Sequence, residues 1–433
     1  MNFQSRPILW IGLAGTLSVL SLAAFVPAHS ASKQVIAIGD VVKQVSAANY
    51  EVLEGALKVY QAKESIEVAR GNLLPSLNLW KVAGIPMQPA MILNFIEDIV
   101  PFLVPANWFR FEEAKILYLG EKEGYRALWA NELLTAKGLY LHALLDGALL
   151  DEVNKSIQAL ENLYVIVKSR EDLGGLPDGG SRDIRTRILS LQEDRRSLQV
   201  LENQEMSSLS YLMGYPAETL IALTAVAIPP METLKPIDYS DFIFRVLDSS
   251  PELRQYGYFI DASDFVRKEI VFSFLGGSSA SRGMGSGLFD NIPAQAGLGF
   301  GTGPSLRIAS AQKDILKVQL KAATETVKRQ LKLLADNYNL DLANAADLKL
   351  HRDLAELTLQ KLFERLSLGE NIDTQHLVEA SRNQIEAETS YFAVQYRFIS
   401  NQDRLMRLLF DGDYGKVPAA VELVTQAHGG ANP

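Results

Sequence analysis

At 433 residues, 48% hydrophobic and 21% charged, the chain is long enough for two or three ordinary domains or for one elongated repeat. Its formal net charge of -9, with no basic run, argues against nucleic acid as a general partner. It has no cysteine, which excludes a disulfide scaffold, a thiolate metal site and a lipid-modified N-terminal Cys.

Residues 1–30 carry Arg6, an apolar stretch from Ile8 to Val26, and small residues Ala28 and Ser30 suited to cleavage after Ser30. This reads as a secretory signal peptide, the alternative being an uncleaved anchor, since the stretch is just long enough to span a bilayer.

Two copies of one pattern follow, at 31–214 and 241–412, joined by a proline-rich linker at 215–240. Ile38–Ala56 resembles Tyr239–Gly257 at a shift of 201, pairing Asp40 with Asp241, Val45 with Val246 and Glu51 with Glu252. Later the shift is 195, pairing Ala114 with Ala309, Arg170 with Arg365, Leu173 with Leu368 and Gly174 with Gly369. Each copy opens with a shorter helix, Val41 to Leu73 and Asp241 to Ile270. An insert follows, at about 79–110 and about 271–305.

Then come Phe111–Leu173 and Leu306–Leu368, without proline and rich in Leu, Ala, Glu, Lys and Gln, which predict two helices, each about 95 Å long. In the second, Ile315, Val318, Ala322, Val327, Leu331, Leu334, Tyr338, Leu342, Ala345 and Leu348 predict an apolar seam. The first carries Gly120, Gly124, Gly138 and Gly147, which mark bends or close helix contacts. Glycine at 174 and 369 closes each rod, and return helices are expected over about 183–213 and 372–410. A flexible C-terminal tail is expected over 413–433.

The inserts read differently from one another. Residues 92–109, "ILNFIEDIVPFLVPANWF", place Ile92, Ile96, Ile99 and Leu103 on one helical face with Glu97 and Asp98 opposite. Pro101 and Pro105 would each deny a hydrogen bond to a central strand. The second insert, from "IVFSFLG" to "AGLGFGTGPSLRI", reads either as two membrane strands or as a Gly/Ser loop.

The duplicated order of short helix, insert, very long helix, glycine turn and return helix resembles the TolC-like outer membrane efflux protein family over about residues 35–412. So do "ARGNLLPSLNL" (Ala69–Leu79), "SSPELRQ" (Ser249–Gln255), "GPSLRIASAQ" (Gly303–Gln312) and the tip turns "DLGG" and "SLGE". The fold implied is mainly α: duplicated long antiparallel hairpins forming a coiled-coil α-barrel.

The resemblance also implies a homotrimer, a periplasmic adaptor protein docking on tip turns Leu173, Gly174, Gly175, Leu368, Gly369 and Glu370, and an inner-membrane pump. Acids after the second turn would line an aperture. Glu379, directly before Ala380, is the nearest match to one such acid and His376 occupies the place of the other; Asp373, and Asp183 after the first turn, are further candidates, the alternative for each being an ordinary solvated helix start. One departure is "FRFEEAK" (Phe109–Lys115), where the family has an Asp-Gly-Gly-Arg type sequence. Another is the first insert, which lacks strand alternation.

The expectation is therefore short or degenerate β/apolar inserts in place of barrel strands, which either cap the helical bundle or lie on the inner leaflet of the outer membrane as an interfacial helix bearing Ile92, Ile96, Ile99 and Leu103. His142, His351, His376 and His428 are isolated, and neither a dinucleotide fingerprint nor a nucleophile elbow is present. No catalytic, cofactor or metal residues are predicted.

Overall fold

The computed structural model describes residues 34–75, 101–272, 289, 300–370, 372–420 and 422–424. Among these are eight α-helices: α1 Ile38–Ala48, α2 Tyr50–Gly71, α3 Pro105–Asp172, α4 Gly180–Leu212, α5 Tyr239–Ser249, α6 Pro251–Phe272, α7 Thr302–Ser367 and α8 Thr374–Leu409. Strands β1 (Gln34–Ile36) and β2 (Ile221–Leu223) pair in parallel, with Val35 opposite Ala222.

The duplication governs local structure residue by residue. The two opening helices expected as continuous are each broken, at Asn49 and at its repeat partner Ser250, where the backbone is extended. Asn49 caps α2 by accepting from the Val52 amide at 2.9 Å, and its amide group donates to the Leu212 carbonyl at 2.8 Å. Pro251 occupies the first position of α6, where a missing N–H costs nothing. Helix pairs α1/α5 and α2/α6 have identical lengths of 11 and 22 residues.

Helices α3 and α7, with 68 and 66 residues, are rods of about 100 Å. At one end the packing order is α2, α3, α6, α7; at the other, α4 and α8 take the places of α2 and α6 along the same rods. The result is a palisade four helices wide. Its edges are α2 and α4 on one side and α7 on the other.

Apolar clusters tie it at intervals. Near the middle, Val41, Val45 and Val52 pack on Trp129, Leu133, Tyr140, Leu209 and Met213; at the tip end, Leu160, Leu163 and Val167 pack on Ile184, Ile188, Leu366 and Leu377. By composition α3 is long and apolar enough to cross a membrane. Its contacts with α2, α4, α6 and α8 bury 44% of its most apolar stretch.

Several expectations need correction. The predicted single seam of α7 is two seams. Val327, Leu331, Leu334, Tyr338 and Ala345 are buried, whereas Ile315 and Val318 are exposed, because two heptad stripes occupy different faces of one helix. The first rod begins at Pro105, not Phe111. Pro101–Leu103 is a single 3-10 turn, and Pro105 opens the helix, so the end of the expected amphipathic helix belongs to the start of α3. The rest of that helix, with Ile92, Ile96 and Ile99, lies outside the described residues. So do the signal peptide, His428 and most of both inserts.

The expected flexible tail is packed as far as it is described. Tyr414 is fully buried, and Ala420 and Val424 join the central cluster. Among the α3 glycines, Gly120 and Gly124 are close contacts, since a Cβ there would lie 2.7 Å from Phe259 and 2.4 Å from Gln255. Gly138 faces open space.

Candidate functional site

The end carrying both glycine turns gathers most of the predicted site residues. Each rod closes with the same Schellman geometry. The Gly175 amide donates to the Arg170 carbonyl at 2.8 Å and Gly174 to Glu171 at 2.9 Å; in the second copy Glu370 donates to Arg365 and Gly369 to Leu366, both at 3.1 Å. Gly174 has φ 72° and Gly369 φ 96°, left-handed values that favour glycine. Just before them Leu173 and Leu368 project into solvent, 86% and 81% exposed.

The two tips are linked to each other. Arg170 donates to the Leu366 carbonyl at 2.9 Å and to the Glu370 carbonyl at 3.4 Å, crossing from the first copy to the second. Arg365 instead turns to Glu370 of its own loop, Nε to Oε2 at 2.6 Å. Glu171 accepts from the Gly179 and Ser181 amides at 3.1 and 2.9 Å, closing the start of α4. The Ser181 hydroxyl first, and then the Ser181 and Gly179 amides, hold its carboxyl below the usual range. A Cβ on Gly180 would meet Thr374 at 2.4 Å, so the starts of α4 and α8 touch.

The four aperture candidates fall into two clefts. Asp183 and Asp373 share one of about 380 Å³, together with Pro177, Asp178, Ile372 and Gln375. Asp373 also caps α8, its Oδ1 accepting from the Gln375 amide at 3.0 Å. His376 and Glu379 line a second cleft of about 660 Å³ between α7 and α8, beside Thr358, Leu362, Arg382 and Glu386. Leu103 lies at the opposite end of the rods, exposed in its 3-10 turn beside exposed Phe102 and Trp108.

The sequence reading missed Arg170 as a link between tips, because a backbone acceptor almost 200 positions away leaves no local signal. It also missed the open edge of α7. Ile308, Ile315, Leu350 and Leu357 are exposed at spacings that are multiples of seven, with Leu333, Leu340 and Leu354 beside them. The facing edge of the palisade exposes Leu57, Tyr60 and Val68 on α2 and Leu189, Val200 and Leu201 on α4. Heptad spacing was visible in the sequence; which stripe the fold left uncovered was not.

The sequence matches no protein-family model, and no curated protein is recognisably similar to it. Solved structures with similar architecture exist at low identity. A membrane protein from Pseudomonas aeruginosa superposes with TM-score 0.69 at 13% identity, over 88% of this chain and 91% of its own. The Campylobacter jejuni CmeC outer membrane channel gives 0.69 at 10% identity, over 90% and 88%. The Neisseria gonorrhoeae MtrE outer membrane channel gives 0.63 at 13% identity, over 88% and 90%. The chain has the TolC-like fold of these channels.

Proposed function

We propose that the chain is the exit duct of a tripartite efflux or type I secretion system, a passive conduit through the periplasm and outer membrane rather than an enzyme. The carrying observation is the palisade with two apolar edges. The exposed α7 seam and the α2/α4 edge are different surfaces, so copies join head to tail and a ring closes if the rotation per copy allows it. Three copies, the number the family resemblance suggests, would then enclose a solvated channel lined by helices.

In this reading the tips face the cell interior. Leu173, Gly174 and Gly175 with Leu368, Gly369 and Glu370 form the contact for a periplasmic adaptor, whose helical hairpin lays its seam into the grooves beside the exposed leucines, and an inner-membrane pump supplies the substrate. Asp183, Asp373, His376 and Glu379 line the aperture. Replacing Asp373 and Glu379 by Ala should raise single-channel conductance or drug leak; unchanged leak discards the aperture role.

A second reading is a periplasmic scaffold with the helical barrel and no pore. It is favoured by the first insert, where a 3-10 turn over Pro101–Leu103 leads directly into the helix at Pro105. Fractionation of cells expressing the full chain, with native mass measured with and without detergent, separates the two. A heat-modifiable trimer found only in detergent extracts of the outer membrane supports the duct. A soluble periplasmic oligomer supports the scaffold and ends the duct proposal.

A further inference from the structure

The seam between α3 and α4 changes character midway. On α4 the buried apolar residues stop at Leu191 and resume at Leu209. On α3 opposite this gap, between Ala143 and Leu150, the buried side chain is Asp146, only 6% exposed. Glu205 of α4 reaches across to it, 13% exposed, and the two carboxyl groups lie within hydrogen-bonding reach of each other. Two carboxylates cannot hydrogen-bond unless one is an acid whose O–H donates to the other.

Asp146 Oδ2 and Glu205 Oε2 are both buried and accept a hydrogen bond from no donor elsewhere in the protein, so a proton held between the acids is what would satisfy them. Compensating charge is sparse. On α3, His142 Nδ1 stands 3.8 Å from Glu205 Oε1. On α4, Glu202 adds a like charge. From α8, Asp403 and Arg404 line an adjoining cavity of about 300 Å³ with His142 and Glu205. Asp403 is occupied by Lys137 and the Tyr414 hydroxyl, and Arg404 sits on the exposed side.

We propose that Asp146 and Glu205 share one proton and that its loss parts the middle of the α3–α4 pair, making this stretch a pH-sensitive joint between the central core and the tip core. Burial raises both carboxyls, and in Glu205 the charges of Asp146 and Glu202 add to it, so that it is pushed up to about 7. For an acid raised in the folded state the sign is fixed. The joint is closed while the proton is present, weakens as pH rises from the ordinary glutamate value of 4.5 towards about 7, and is fully loosened above that. Neither end of the palisade depends on this pair, so the joint would serve a duct or a scaffold alike.

Amide hydrogen exchange of the full-length oligomer, corrected for intrinsic base catalysis, tests it. Between about pH 5.5 and about pH 8.5, segments 142–152 and 196–208 should lose protection by about tenfold, the factor that one unit of pKa difference is worth. Segments 157–167 and 125–133 should not change. Glu205→Gln should abolish the step, and Asp146→Asn, which leaves Glu205 buried but removes its charged neighbour, should shrink it and move it to lower pH. A second measurement needs no variant: an infrared band of a protonated carboxyl should persist at about pH 6 and vanish by about pH 8.5. A wild-type chain without the step, a step retained in Glu205→Gln, or no such band overturns the proposal. So does loss of protection on adding EDTA at about pH 6, which would assign the pair to a divalent cation instead of a proton.

Discussion

Replacing Lys137 by Met probes how the end of the chain is held to the rods. Lys137 is 8% exposed on α3, and its ammonium reaches Asp403 of α8 at 3.1 Å and Asp413, beyond α8, at 3.0 Å. It also lies 5.0 Å from the Tyr414 ring centroid, and the Tyr414 hydroxyl donates to Asp403 at 2.5 Å. Methionine keeps the stem and removes the charge. Asp403, 17% exposed, is then left with the tyrosine alone, whereas Asp413, 40% exposed, keeps Lys416 at 3.3 Å.

Breaking a buried pair costs about 3 to 5 kcal/mol; because solvent screens Asp413, the lower end, about 3 kcal/mol, is expected. Urea unfolding of the full-length oligomer should show that loss, with faster amide exchange over 412–424. Adding Asp403→Asn should recover most of it, since both partners are then neutral. The wild-type margin should also shrink in acid. Burial raises the Asp413 carboxyl, but the Lys137 hydrogen bond and charge, with Lys416 behind them, outweigh it and hold the carboxyl low. Its contribution is thus present at neutral pH and lost as pH falls through the depressed value. A Lys137→Met loss below about 0.5 kcal/mol, or a double variant no better than the single, would refute the reasoning.

Three further outcomes are expected. Gly214→Ala should lower the unfolding temperature sharply, at a cost above about 2 kcal/mol, because φ is 69° and a Cβ would lie 2.2 Å from the Ala48 carbonyl oxygen. Gly174→Ala should cost only about 1 kcal/mol in the same assay, as its left-handed turn opens onto solvent with nothing within 4 Å; equal costs at the two glycines would show that backbone contact is irrelevant. Glu252→Gln should cost about 2 to 3 kcal/mol, since Arg407 bonds Glu252 and also donates to Asn131 Oδ1 at 2.6 Å. Burial opposes the Glu252 charge, yet Arg407 wins and lowers its pKa. The pair therefore stabilises fully above the ordinary value of 4.5 and fades as pH falls below it, a dependence the variant should lack in unfolding measured across that range.

The sequence by itself determined the repeat, the two rods, both glycine closures and the return helices. All of these rest on local causes: helix propensity without proline over more than sixty residues, and a backbone conformation at Gly174 and Gly369 that other residues resist. It also contained the breaks at Asn49 and Ser250, which a capping residue and a proline signal but which a search for apolar periodicity passes over. Tertiary structure alone decided which faces of the rods are covered. Leu331 and Leu333 are two positions apart on one helix and chemically alike, yet the first is buried and the second exposed, because α5 and α8 pack on one side of α7 only. The same holds for Arg170, Asp146 with Glu205, and the C-terminal Tyr414. Each acquires its role from a partner brought close by the palisade, and the energy of such a contact depends on distance and burial that no stretch of sequence encodes locally.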